Sequence, residues 1–113
     1  MDKAVRMALG DLDGVEQVLE AGALTRTVER FSSGDGLTAG VWESEPFTEE
    51  IVAGGYPVDE TCVVIEGTIV LRYPDGSEDA FGPGEAFSIA RGTPLTWHQD
   101  DRVRKFYVIR EPA

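Results

Sequence analysis

The run Glu60-Thr61-Cys62-Val63-Val64-Ile65 is dominated by β-branched residues and bounded by Gly54-Gly55 on one side and Glu66-Gly67 on the other. β-branched side chains are stiff at χ1 and suit a pleated surface, so the run reads as a strand. Because such residues occupy both of its faces, it reads further as an inner strand with a neighbour on each edge. About one hairpin later Gly82-Pro83-Gly84 launches a second apolar run, Glu85-Ala86-Phe87-Ser88-Ile89. Strand, Glu-Gly turn, hairpin, Gly-Pro-Gly turn and strand form the pattern of a small antiparallel barrel.

The rest of the chain fits that frame. Residues 1–24 read as an N-terminal arm, with a short helix over residues 14–20 capped by Asp13 and Glu16 and ending at Gly22. A barrel leaves its outer surface open, so the arm is expected to pack on the outside or against a neighbouring subunit. Residues 25–113 read as one barrel domain. Strands are predicted over 25–31, 37–44, 47–53, 60–65, 68–73, 78–81, 85–89, 95–98 and 103–109, with Pro74-Asp75-Gly76-Ser77 as the strongest hairpin turn. With short strands at regular spacing and no βαβ alternation, the fold class is all-β, a sandwich or a barrel.

A chain of 113 residues with one core must carry its function in that one domain. Ten basic against twenty-one acidic residues give a net charge of −11, which repels a nucleic-acid backbone or an anionic membrane surface and favours a neutral or cationic small-molecule partner. Cys62 is the single cysteine, so no internal disulfide forms and a reducing compartment is expected. No apolar run reaches membrane-spanning length and the N-terminus lacks the apolar core of a secretion signal, so a soluble cytoplasmic protein is expected.

The two glycine-framed strands resemble the paired motifs of the cupins. Glu60 followed by Gly67 fits the end of the first cupin motif, and Gly84 followed by Arg91-Gly92 fits the frame of the second. The resemblance implies a double-stranded antiparallel β-helix, the cupin jelly-roll barrel. Within the superfamily the chain is most similar to the small single-domain cupins labelled after (S)-ureidoglycine aminohydrolase. That similarity is carried by Gly40-Val41-Trp42-Glu43, Tyr56-Pro57-Val58-Asp59-Glu60, Trp97 and Arg104-Lys105-Phe106-Tyr107, and covers residues 28–109. In cupins the first motif supplies two histidines and a glutamate to a metal and the second supplies a further histidine. Here the histidine positions fall at Ala53 and Gly55, or Gly54 and Tyr56, and at Leu95. One carboxylate does not hold a divalent transition metal, so no metal and no other cofactor is expected.

Alternation along the central strand puts Glu60, Cys62 and Val64 on one face, and by resemblance that face is the barrel interior. A carboxylate in an apolar cavity needs a cation or donors beside it. It is either a structural ion pair with Lys105 or Arg104, or the anchor of a functional site. Candidate catalytic residues are Glu60, as general acid or base, and Lys105; candidate ligand contacts are Trp42, Tyr56, Cys62 and Trp97, the aromatics offering a face to a planar ligand. His98, the sole histidine, is expected to point outward into solvent if Leu95 and Trp97 point inward. Cys62 has no visible base to make it a nucleophile. The expected function is a small-molecule-binding cupin acting on a small nitrogen-containing metabolite by metal-independent hydrolysis or isomerisation. The alternatives are a non-catalytic binding or sensor module, and a metal-dependent enzyme using Glu60, Tyr56 and His98. A homodimer is expected from the resemblance.

Overall fold

The β-branched run becomes β5 (Asp59–Glu66), hydrogen-bonded to a strand on each edge. In the computed structural model, which describes residues 3–10 and 12–112, it is one of ten strands. The others are β1 (Val18–Glu20), β2 (Ala23–Ser32), β3 (Leu37–Ser44), β4 (Phe47–Ile51), β6 (Ile69–Arg72), β7 (Glu78–Phe81), β8 (Ala86–Ile89), β9 (Leu95–Gln99) and β10 (Val103–Arg110). There is no helix among the described residues. A six-stranded sheet ordered β1-β2-β3-β10-β5-β8 faces a four-stranded sheet ordered β4-β9-β6-β7, and every pairing is antiparallel.

The period-two rule holds on both sheets. On β5, Glu60, Cys62 and Val64 are buried while Asp59, Thr61 and Val63 are exposed; on β10, Val103, Lys105 and Tyr107 are buried. Leu95, Trp97 and Gln99 of β9 turn inward from the other sheet. Between the sheets, Cys62, Val64, Ile69, Leu71, Ile89, Leu95, Trp97 and Val103 form one apolar cluster. β5 is therefore an inner strand through its hydrogen bonds, although Val63 keeps its outer face 36% exposed.

The helix expected over residues 14–20 does not form. Leu12 and Val15 close a turn through a 3.1 Å backbone bond, and Val18–Glu20 pairs with Ala23–Thr25 instead. The hairpin loop is Ala21-Gly22, with φ of +49° and +81°, the conformation of a tight type I′ turn. A left-handed glycine ends helices as well as hairpins, and only β2, the partner strand, separates the two outcomes. The division expected after residue 24 thus falls inside β2. Ahead of β1, Leu12 is buried and the Gly10 carbonyl accepts from Arg30 Nη2 of β2 at 3.3 Å.

Gly40 in β3 is a position where no side chain fits. An added Cβ would stand 2.1 Å from the Val28 carbonyl oxygen and 2.8 Å from the Tyr107 hydroxyl. Gly40→Ala is expected to cost about 2–3 kcal/mol in urea denaturation, as overpacking against a backbone atom that cannot yield. Ala21→Gly relieves a side chain held in the left-handed region and is expected to stabilise by about 0.5–1 kcal/mol in the same measurement.

Candidate functional site

A cavity of about 330 Å³ opens between the sheets, at the small end of ordinary ligand pockets. Its floor is built by β5 and β10. On their inward faces Lys105 stands opposite Val64, Tyr107 opposite Cys62, and Ile109 opposite Glu60. Lys105 therefore runs diagonally past Cys62 to reach Glu60, a span that suits its long stem. Trp42 of β3 and Trp97 of β9 meet edge to face with centroids 6.2 Å apart, and the Lys105 ammonium lies 4.6 and 4.4 Å from their ring centroids. Electron-rich indole faces are favourable neighbours for a desolvated cation. Trp97 is fixed by its own N–H, which donates to Gln99 at 3.0 Å, while the Gln99 amide donates to the Ser44 and Glu45 carbonyls at 3.2 Å.

Three donors converge on the Glu60 carboxylate. Lys105 Nζ donates to Oε2 at 2.6 Å, the Cys62 thiol to Oε2 at 3.2 Å, and the Tyr56 hydroxyl to Oε1 at 2.7 Å. Burial alone disfavours the carboxylate, but the Lys105 charge and the hydrogen bonds from Lys105, Tyr56 and Cys62 outweigh it and hold the Glu60 carboxyl below its usual range. Burial likewise works against the Lys105 ammonium, and the fields of Cys62 and Glu60 with their hydrogen bonds reverse that and raise it. Of those two partners Glu60 matters near neutrality, because burial pushes the Cys62 thiol up to about 12 and leaves it protonated. Burial and the neighbouring Glu60 carboxylate raise Tyr56 as well. The cluster is a charged pair flanked by two neutral donors.

Five of the six residues singled out from the sequence line this cavity: Trp42, Tyr56, Glu60, Trp97 and Lys105. Cys62, expected as a ligand contact, does not; it is 0% exposed and sits behind Glu60 as its thiol donor. Arg104, the other candidate partner for Glu60, points to the opposite face and binds Glu43 at 2.8 Å. His98 lies on the outer face as alternation requires, but it is tied down rather than solvated. Its side chain is 18% exposed, with Nδ1 2.6 Å from the Thr48 hydroxyl and Nε2 2.8 Å from Asp100. It therefore cannot join Glu60 and Tyr56 around a metal. Among the described residues no three His, Cys, Asp or Glu side chains converge, and Glu60 is already engaged by an ammonium, so the donor set does not fit a divalent cation. The lining also includes Glu20, Thr25, Thr27, Thr38, Phe47, Glu49 and Tyr107, none of which was singled out from the sequence. For Tyr107 the signal was present, since it shares an alternation face with Lys105 on β10.

Two antiparallel sheets closed around an inward-facing motif glutamate define a cupin jelly-roll barrel. The chain belongs to the EutQ-like cupin family, whose domain model matches residues 31–107. Among solved structures it is similar to a DUF861-family protein of unknown function from Pseudomonas syringae pv. tomato, at 29% identity and a TM-score of 0.70. That match covers 77% of this chain, which spans only 37% of the Pseudomonas protein. The EutQ protein of Clostridium difficile shares the fold at 24% identity and a TM-score of 0.64, over 82% of this chain and 75% of its own. The cupin domain of an XRE-family transcriptional regulator from Enterobacter cloacae shares it at 18% identity and a TM-score of 0.60, over 83% of this chain and all of its own. A comparison with curated proteins returns no match.

Removing one member of the buried pair strands the other. Lys105→Met is expected to cost about 3–5 kcal/mol, and the double variant Glu60→Leu with Lys105→Met to recover most of it, read as a coupling energy in a double-mutant cycle. The pair's contribution has a defined pH window. Glu60, lowered from an ordinary value of 4.5, contributes in full above that value, and its share is lost as pH falls through the folded-state value. Lys105, raised from 10.5, contributes in full below that value, and its share is lost as pH rises through the folded-state value. The stability difference between wild type and the double variant should stay flat across neutrality and change only at the two extremes.

Proposed function

We propose that the barrel binds a small organic molecule in the cavity above Glu60 and Lys105 and holds it without chemical change, as a ligand-binding or sensor module. One observation carries this: the cavity-floor carboxylate is engaged by three donors, and no group of that cluster is moved toward neutrality. A general acid or base works best with a pKa near the working pH, and a nucleophile needs a lowered one. Acid–base hydrolysis or isomerisation by Glu60 and Lys105 would first have to break a buried ion pair.

Of the residues that carry the similarity to the ureidoglycine aminohydrolase branch, Trp42, Tyr56, Glu60, Trp97, Lys105 and Tyr107 line the cavity, and Glu43 pairs with Arg104. These residues build the cavity and its ion pairs, so they support a shared architecture and a nitrogen-containing ligand more than a shared reaction. The regulator domain from Enterobacter cloacae offers a fold-level analogy for a sensing role. The homodimer belongs to the same proposal. Exposed Val18, Leu19 and Leu24, at 51%, 70% and 45%, place apolar surface on the β1–β2 hairpin for a second copy to cover. Leu19→Lys with Leu24→Glu should then shift the protein from dimer to monomer in sedimentation velocity.

A thermal-shift screen of ureides, amino acids and small sugars tests the binding role. A true ligand at a hundredfold over its Kd adds about 2.7 kcal/mol and is recovered unaltered by mass spectrometry after prolonged incubation. Turnover of the bound compound would replace this function with catalysis.

A further inference from the structure

The cavity consumes its strong donors internally and leaves its acceptors free. The Tyr56 hydroxyl and one Lys105 proton go to Glu60, the ammonium rests against two indole faces, and the Trp97 N–H goes to Gln99. What is left over besides rotatable hydroxyl hydrogens is the indole N–H of half-buried Trp42. On the acceptor side, Tyr107 is the telling residue. It is 6% exposed and lines the cavity, and among the described residues its hydroxyl has no hydrogen-bond partner. The Tyr107 side chain reaches over Gly40, whose missing side chain makes the space: a Cβ there would be 2.8 Å from the hydroxyl oxygen. The oxygen is not sealed off, since among the described residues the fully buried side-chain atoms without a partner are Arg26 Nε and Arg30 Nε; it faces the cavity as an open acceptor on which a ligand donor can replace water. Thr27 and Thr38 add two more hydroxyls without side-chain partners among the described residues.

Charge points the same way. The lining carries the carboxylates of Glu20, Glu49 and Glu60 against the single ammonium of Lys105. Glu60 and Lys105 neutralise each other, which leaves Glu20 and Glu49. These come from β1 and β4, in different sheets, and so face the cavity from its two walls. Glu20 spends Oε1 on the Thr25 hydroxyl at 2.7 Å and keeps its other oxygen; Glu49 has no partner among the described residues. An anion would enter against this field and against a chain charge of −11.

Resting on the binding role proposed above, we propose that the ligand is a small organic cation rich in N–H donors, a primary ammonium or a guanidinium. It donates to the Tyr107 hydroxyl oxygen and draws its counter-charge from Glu49 and Glu20.

The test uses charge-matched probes and the two indole N–H signals as cavity reporters in 1H–15N spectra. Methylguanidinium and n-propylammonium should shift the Trp42 and Trp97 signals saturably, about tenfold more tightly than their neutral counterparts methylurea and n-propanol, while propionate leaves them unmoved. Glu49→Gln should weaken cation binding about five- to tenfold, and Tyr107→Phe, which keeps the ring, about three- to tenfold. Both variants should retain the wild-type pattern of the remaining amide signals, which separates loss of binding from loss of fold. Neutral probes binding as tightly as the cations would overturn the cationic class and leave the binding role standing. Cation binding indifferent to both substitutions would overturn the proposed seat. Indole signals unmoved by either cation would overturn the inference, and the ureide, amino-acid and sugar screen then judges the binding role separately.

Discussion

An ammonium and a carboxylate 2.6 Å apart, taken out of water at the centre of a small barrel, set the terms for everything around them. Two bare charges do not survive that transfer on Coulomb attraction alone, because desolvation of each ion offsets much of the gain. The surrounding residues can be understood as the remainder of the answer. Tyr56 and Cys62 satisfy the carboxylate, and Trp42 and Trp97 give the ammonium two π faces in place of water. Gln99 holds Trp97 in position from behind. A network of this kind is favourable only when nearly complete, which ties residues from β3, β5, β9 and β10 into one unit.

The same strand builds a second pair on its other side. Adjacent residues Arg104 and Lys105 point to opposite faces of β10; Lys105 meets Glu60 inside, and Arg104 meets Glu43 outside at 2.8 Å. Because the side-chain period of a strand is two, a register slip by one residue would turn Lys105 outward and Arg104 inward, losing the fit of the ammonium to its two indole faces and of the Arg104 fork to Glu43. The two glutamates and two cations thus act as a lock on the alignment of β3, β10 and β5, at the middle of the larger sheet.

Most of the barrel was legible in the sequence because turn chemistry and β-branched runs are local signals. Leu37–Ser44 and Glu78–Phe81 have the bounds the residues suggest, and the other barrel strands differ by a residue or two at their ends. The arm was not legible, since Val15, Val18 and Leu19 suit a helix face as well as a strand and the choice was made by a partner strand further along the chain. Within the site, Glu60, Lys105, Trp42, Tyr56 and Trp97 were visible through motif and alternation. Cys62 lies behind the cavity lining rather than in it, because alternation gives a face but not a depth. Glu20 was invisible because it belongs to β1, whose formation the local sequence did not disclose; Thr25 and Thr27 lie in a strand that was predicted, but no motif marked their face as the inner one.

A cation carried by Lys105 differs from a bound ion in one respect that follows from its covalent attachment. It has no equilibrium for leaving the protein. It arrives with the chain as it is synthesised, cannot be stripped by a competing chelator, and cannot be exchanged for a different element when supply changes. A barrel equipped this way keeps the same electrostatic centre in every molecule across the pH range in which Glu60 and Lys105 both stay charged, at the expense of any capacity to vary it.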